Sequence, residues 1–132
     1  MRITRAVIIV LSIAASGPAQ QRWTKTYGGV PNDLGKSVQQ TVDGGYIVAG
    51  STNSFGHGGN DVYLIKPDSA GDAVWTKAYG GGGDDDGYCV QQTADMGYII
   101  VGRTLSLGTR DVYLIKTNAS GDTLWTRIYG GA

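Results

Sequence analysis

Glutamate is absent from this chain of 132 residues, and proline, cysteine, histidine and phenylalanine are scarce, with three prolines and one each of the others. Every one of the eleven acidic residues is therefore an aspartate. Aspartate bonds to nearby backbone groups in turns, whereas glutamate is typical of exposed helix faces. The lone cysteine excludes an intramolecular disulfide, and a formal net charge of zero without a basic cluster gives no support for nucleic-acid binding. The chain is thus expected to be rich in turns and poor in helix.

Glycine and apolar residues are abundant instead. The chain contains 22 glycines, and 41% of its residues are hydrophobic, which is enough to form a buried core. Length and composition together predict one all-β domain.

The first 19 residues have the pattern of a secretory signal peptide. Two arginines precede an apolar run over residues 6–15, and small residues follow. Cleavage after Ala19 fits best and cleavage after Ala14 fits second, while a buried N-terminal strand or an uncleaved anchor is the alternative. The run is shorter than the roughly 20 residues that span a bilayer. We expect an exported chain, secreted or at the cell surface, whose mature part (20–132) has no membrane span.

A tryptophan-centred repeat organises the rest of the chain. The segment Trp23-Thr-Lys-Thr-Tyr-Gly-Gly29 returns in similar form at Trp75–Gly81 and Trp125–Gly131, at spacings of 52 and 50 residues. The hexapeptide Asp-Val-Tyr-Leu-Ile-Lys occurs identically at 61–66 and 111–116. Periods of about 20–50 residues indicate solenoids, propellers or arrays.

Each copy of the repeat predicts four short strands separated by turn signals. Asp-Gly-Gly and Ser-Ala-Gly-Asp in the first copy supply the tight turns of hairpins. An additional strand is predicted at 22–27, ahead of both copies. The other predicted strands are Ser37–Thr41, Tyr46–Thr52, Asp61–Lys66 and Val74–Tyr79, then Cys89–Thr93, Tyr98–Thr104, Asp111–Lys116 and Leu124–Tyr129.

The repeated hexapeptide is apolar on both faces of its strand. Alternate side chains point to opposite faces, so Val62 and Leu64 face one way while Tyr63 and Ile65 face the other. Such strands are expected to be covered on both sides. Four-stranded antiparallel sheets of this kind, repeated in tandem, are typical of β-propeller blades.

We therefore predict an all-β partial propeller. It has two four-stranded antiparallel blades, at about 30–80 and 81–131, and one extra N-terminal strand. The residues that recur in register are expected to form the core between blades: Trp23, Trp75, Trp125, Tyr63, Tyr113, Leu64 and Leu114.

The motifs resemble those of a known repeat class. Residues 22–132 contain Tyr-Gly-Gly, Asp-Gly-Gly-Tyr-Ile-Val-Ala-Gly-Ser-Thr, Gly-Asn-Asp-Val-Tyr-Leu-Ile-Lys and Gly-Asp-Ala-Val-Trp. This series is similar to the seven-bladed β-propeller repeats of secreted bacterial proteins, with a looser likeness to kelch and delta-60 repeats. The resemblance implies a secreted or surface protein with a binding or scaffolding role. It implies no shared catalytic residue, so neither an enzyme nor a cofactor is expected.

Two blades are fewer than the roughly 4–8 of a closed ring, and each end would expose an apolar face. Three arrangements would cover these faces: about three or four chains closing one ring, a longer chain of which this is a piece, or two blades packed as a small sandwich. Self-association through the exposed faces, or association with other propeller repeats, is the expected partnership.

The densest acidic stretch is Asp84-Asp85-Asp86, between the two copies. Clustered carboxylates bind Ca²⁺ when about six to eight oxygens converge. The spacing differs from that of an EF-hand loop, and the first copy has only Asp33 there. The simpler interpretation is that Asp33 and Asp85 form hydrogen bonds in the loops between blades, and calcium is the weaker candidate.

Isolated polar residues predict no second site. His57 is the only histidine, is not repeated in the second copy and is interpreted as a solvated loop residue, because a triad or metal site needs convergent partners. Cys89 aligns with Ser37 and is interpreted as a small strand residue, with a bridge between chains as the alternative.

Three function classes follow from these features. Non-enzymatic binding or structural association, with a protein ligand, ranks first. Lectin-like glycan binding is the alternative, because eight tyrosines and three tryptophans could form sugar platforms. An enzyme, a hydrolase or lyase on a propeller, ranks last, because only His57 and 84–86 offer non-repeating polar groups.

Overall fold

The computed structural model describes residues 22–131, and this part of the chain is all-β without helices. Its eight strands form two four-stranded antiparallel sheets, each with its strands adjacent in chain order. Sheet 1 consists of β1 (Asp33–Gln40), β2 (Tyr46–Thr52), β3 (Asp61–Pro67) and β4 (Ala73–Tyr79). Sheet 2 consists of β5 (Asp85–Gln92), β6 (Tyr98–Thr104), β7 (Asp111–Thr117) and β8 (Thr123–Tyr129). The prediction of two four-stranded antiparallel sheets is confirmed.

The predicted signal peptide, residues 1–19, lies outside the described residues. Within 22–131, no helix is present that has the length and apolar character needed to cross a bilayer.

The ninth strand predicted at 22–27 is wrong. Residues 22–29 make no strand pairing with sheet 1. Side chains of this segment contact sheet 1, but no backbone ladder forms, although the tryptophan motif is similar to that of β4.

The first strand of each sheet begins four residues earlier than predicted, at Asp33 and Asp85. A register shift lies between Gly35 and Ser37 in β1, and another between Gly87 and Cys89 in β5. A β-bulge of this kind interrupts the alternation of side chains on which strand prediction depends.

A polar cluster supports the hairpin turn between β1 and β2. The Asp43 carboxylate accepts hydrogen bonds from the Thr41 hydroxyl (2.5 Å) and the Gly45 backbone N–H (2.9 Å), and it pairs with Lys66 Nζ at 3.0 Å. The hydrogen bond from Thr41, followed by those from Gly45 and Lys66, lowers the pKa of Asp43 to about 2. The same cluster recurs around Asp95 in sheet 2.

Acid is expected to weaken both turns. A hydrogen bond from Lys116 lowers the pKa of Asp95 well below its ordinary value, as Thr41 does for Asp43. A carboxyl whose folded-state pKa is below its unfolded value, about 3.9, stabilises the fold above that value and loses this contribution as the pH falls through the folded pKa. The free energy of unfolding should therefore decrease between about pH 4 and pH 2, and it should decrease less in the Asp43→Asn variant.

Urea unfolding measured from about pH 7 to pH 2 tests this expectation. Val42→Ala, at an exposed non-ionisable neighbour in the same turn, should change stability equally at every pH. Parallel pH profiles for the wild type and Asp43→Asn would contradict the assignment.

The two sheets pack face to face and enclose the core between them. We call the face of each sheet that carries Leu64 or Leu114 its forward face, and the opposite face its rear face. The forward face of sheet 1 supplies Ile47, Ala49, Val62 and Leu64. The rear face of sheet 2 supplies Val90, Tyr98, Ile100 and Ile115. All eight side chains are at most 3% exposed.

The sheets are stacked in the same sense, forward face onto rear face. Tyr98 is the repeat equivalent of Tyr46, and Tyr46 lies on the rear face of sheet 1 because it is in phase with Val48, which pairs with Ile65. Each sheet thus uses a different face in the junction. This order leaves the rear face of sheet 1 and the forward face of sheet 2 without a second sheet within the described chain.

Candidate interaction site

The junction between the sheets is held at one corner by three side chains of β4. The Trp75 ring meets the Tyr98 ring edge-on, with centroids 5.9 Å apart and an interplanar angle of 62°. Lys77 Nζ pairs with Asp122 at 3.0 Å, and the Tyr79 hydroxyl donates to the Gly121 carbonyl at 2.6 Å.

We call Trp75, Lys77 and Tyr79 a donor triad, and Tyr98, Gly121 and Asp122 an acceptor corner. Burial, with a smaller effect of Asp122, raises the pKa of Tyr79, so its hydroxyl is a donor at neutral pH. The hydrogen bond from Lys77 lowers the pKa of Asp122, so the pair is charged there.

The N-terminal segment repeats these contacts on sheet 1. Trp23, Lys25 and Tyr27 form a second donor triad, and Tyr46, Gly71 and Asp72 form a second acceptor corner. The Trp23 and Tyr46 rings are 5.9 Å apart at 66°, Lys25 Nζ pairs with Asp72 at 2.7 Å, and the Tyr27 hydroxyl donates to the Gly71 carbonyl at 2.6 Å. Trp23 Nε1 also donates to the Ser69 carbonyl at 3.2 Å. Residues 22–29 thus occupy the place that a preceding β4 would take.

A glycine admits the tryptophan at both acceptor corners. Gly71 and Gly121 have φ angles of +82° and +81°. A Cβ at Gly71 would lie 2.6 Å from the Trp23 ring, and one at Gly121 would lie 2.8 Å from the Trp75 ring. The recurring Gly-Asp pair in the β3–β4 and β7–β8 turns is therefore required by the contact as well as by the turn. The sequence pattern by itself indicates only turn chemistry for this pair.

A third donor triad lies on β8, on the open forward face of sheet 2. It consists of Trp125, Arg127 and Tyr129, in the register of Trp75, Lys77 and Tyr79. Tyr129 is 55% exposed, and the Arg127 guanidinium lies 5.5 Å from the centroid of the Trp125 ring. Within residues 22–131 no acidic side chain forms an ion pair with Arg127.

The surface around this triad is apolar because the residues that fill the core in sheet 1 are repeated in sheet 2. Val62 is fully buried, whereas its equivalent Val112 is 47% exposed. Ala49 is fully buried, whereas its equivalent Val101 is 37% exposed. Sheet 2 therefore exposes on its forward face apolar side chains whose equivalents in sheet 1 are buried.

The residues predicted for the repeat core divide according to this stacking. Leu64 and Tyr63 are buried, and Trp75 and Tyr113 pack against the core. Trp23 covers one corner of sheet 1. Leu114 and Trp125 lie on the open face, so the contact expected for Trp125 is not made within the described chain, since no third sheet follows it there.

The three aspartates at 84–86 do not converge. Asp84 accepts from the Asn60 backbone N–H at 2.9 Å, and Asp85 accepts from the Gly81 backbone N–H at 2.8 Å. Asp86 turns toward sheet 1. Among residues 22–131, no group of three or more histidine, cysteine or acidic side chains is arranged to hold a metal ion. Calcium binding stays the weaker of the two interpretations of this stretch, and a rise of the melting temperature on calcium titration would demonstrate it.

Asp33 and Asp85 form the loop hydrogen bonds that the sequence predicts. Asp33 accepts from the Gly29 N–H (2.8 Å) and the Ser54 hydroxyl (2.9 Å). Asp85 makes the equivalent pair of bonds, to Gly81 and Ser106. Each carboxylate therefore joins a Gly-Gly segment to the wider loop of the following sheet.

Asp86 forms a polar link between the sheets that the repeat does not predict. Its carboxylate, 6% exposed, accepts from the Ser51 hydroxyl across the junction (2.6 Å) and from Arg103 in its own sheet (2.5 Å). Burial opposes the charged form, but the hydrogen bonds from Ser51 and Arg103 and the charge of Lys36 leave the pKa of Asp86 lowered. The first copy has Leu34 here, so this link had no repeat signal in the sequence.

The only histidine and the only cysteine of the chain, His57 and Cys89, are both exposed. His57 is exposed, and only its backbone N–H is held, by Asp61 at 2.7 Å. Cys89 is a free, exposed thiol on β5.

A polar cavity of about 290 Å³ opens at the start of β1. Its lining is rich in amide and hydroxyl groups: Asn32, Asp33, Leu34, Ser51, Asn53 and Asn60. The buried Oδ1 atom of Asp33 has no hydrogen-bond partner within the described part of the chain.

No protein-family model matches the chain, and a search of curated proteins found no match.

Proposed function

We propose that the chain is an exported, non-enzymatic β-propeller repeat module that serves in binding or structural association at a bacterial cell surface. The observation that carries the proposal is the stacking of two like sheets in the same sense, which leaves a forward face with core composition uncovered. A sandwich of two sheets would instead bury matching faces against each other and leave neither core surface open. Repeat architectures bury such faces by adding further units.

The export of the module is supported by the signal-like residues 1–19. The likeness of the repeat motifs to those of secreted bacterial propeller proteins supports the same location.

The mass of the chain beginning at Gln20 in solution tests the proposal. Heterologous interfaces give rings when the rotation closes and filaments when it does not. We expect the mass to rise with concentration in the micromolar range, toward a limit of about three or four chains if a propeller ring of about six to eight blades closes. A folded chain that remains monomeric over this range would contradict the proposal.

Glycan binding is a second candidate function, and the polar cavity at the start of β1 favours it. Asparagine amides and a carboxylate oxygen are groups that hydrogen-bond sugar hydroxyls. A glycan array probed with the chain from Gln20 tests this candidate, and a blank array would leave association as the function.

A further inference from the structure

We propose that the β8 donor triad binds the acceptor corner of sheet 1 on a second copy of the chain, and that residues 22–29 compete with it for that corner. The inference rests on the proposed association function and identifies the partner and its regulation. It follows from a mismatch in number: residues 22–131 contain three donor triads and two acceptor corners.

The chemistry of the two occupied corners defines what the third triad can bind. Each corner presents a tyrosine ring for the indole, a glycine carbonyl for the phenol and an aspartate for the cation. Arg127 replaces lysine in the third triad and retains the positive charge. Because its geometry on β8 matches that of β4, the triad fits a corner of the same kind and not a generic apolar surface.

A second copy supplies such a corner at Tyr46, Gly71 and Asp72. In each copy this corner is filled by residues 22–29, which make no backbone ladder with sheet 1. The β8 strand brings the same side chains together with the apolar face around Val112 and Leu114, which residues 22–29 lack. The intermolecular contact therefore adds sheet-on-sheet burial, and the N-terminal segment acts as a weaker, tethered competitor.

Two equivalent tryptophans, Trp125 and Trp23, should respond in opposite directions to substitution by alanine. Trp125→Ala removes the donor and should weaken self-association at least about 30-fold, the effect of losing a central interface tryptophan. Trp23→Ala loosens the competitor and should tighten self-association about tenfold, because the free acceptor becomes more populated. Thr126→Ala, which points away from the forward face, should leave the dissociation constant unchanged.

Sedimentation equilibrium of each variant, in the chain beginning at Gln20, measures these constants. Circular dichroism of each variant verifies that the fold is retained. Unchanged association of Trp125→Ala would overturn the inference while the association function stands, and unchanged or weaker association of Trp23→Ala would overturn the competition. A wild-type chain that never associates would overturn the proposed function itself.

A charge exchange identifies the partner as a second copy. Arg127→Asp alone and Asp72→Arg alone each place like charges across the head-to-tail contact, and neither chain should associate. In an equimolar mixture, the introduced aspartate of one variant faces the introduced arginine of the other in one contact, and the opposite contact retains the original Arg127–Asp72 pair. The mixture should therefore associate within about tenfold of the wild type. A mixture as monomeric as its components would show that another surface or partner covers the β8 face.

Discussion

Leu64→Ala is expected to lower the free energy of unfolding by about 3 kcal/mol, and the equivalent Leu114→Ala by about 1 kcal/mol or less. Both leucines lie in the identical hexapeptide Asp-Val-Tyr-Leu-Ile-Lys, so local propensity is matched. Leu64 is fully buried between the sheets, whereas Leu114 lies half-buried on the open forward face. Truncating the first leaves a cavity in a packed interface, and truncating the second removes surface that is already hydrated in part.

Urea unfolding at low protein concentration measures this difference, because association would otherwise stabilise the folded state. At high concentration, association should add stability to the wild-type chain. Leu114→Ala should lose more of this concentration-dependent stability than Leu64→Ala, since the Leu114 side chain belongs to the proposed intermolecular face. Equal costs at low concentration would mean that the two sheets do not depend on their junction for stability.

Much of the sheet architecture follows from the repeat alone. The β2 and β6 strands have the predicted bounds, because the turn before each and the polar loop after each are explicit in the sequence. Because residues 61–66 and 111–116 are identical, the sequence correctly predicts that both form the third strand of their sheets. It does not predict their environments, because burial depends on what packs outside each sheet, and the repeat does not indicate which face of each sheet meets the other.

The interaction site is predictable only in part for the same reason. The tryptophan motifs at 23, 75 and 125 indicate three equivalent side-chain sets, yet the structure shows one in an unpaired segment, one in a junction and one exposed. The sequence pattern of their Gly-Asp partners indicates turn residues only, since a tight turn and close packing against an indole ring both require the same glycine. The Asp86 link lies at a position where the copies differ, so no periodic signal exists for it.

Gly50→Ala is expected to destabilise the fold by about 3 kcal/mol, the upper end of the usual cost of overpacking. The bulge in β1 brings its backbone directly over Gly50: an added Cβ would lie 2.7 Å from the carbonyl carbon of Leu34 and closer still to its oxygen. Backbone atoms of a paired strand cannot rotate away as a side chain can, so β1 must move. The β1 strand in turn contacts β5 through the Ser37 hydroxyl, which accepts from the Val90 N–H, so the damage should extend into the junction between the sheets.

The same substitution at two other glycines separates this mechanism from a general loss of chain flexibility. Gly102 has the equivalent place in sheet 2, where an added Cβ would meet the Asp86 carbonyl, so Gly102→Ala should cost about as much as Gly50→Ala. Gly82 has nothing within 4 Å of an added Cβ and no positive φ, so Gly82→Ala should change the free energy of unfolding by no more than about 0.5 kcal/mol. Thermal or urea unfolding of the three variants tests the order. If Gly50→Ala were as mild as Gly82→Ala, the bulge could not lie where the register of β1 and β2 places it, and the contact of β1 with the second sheet would need another explanation.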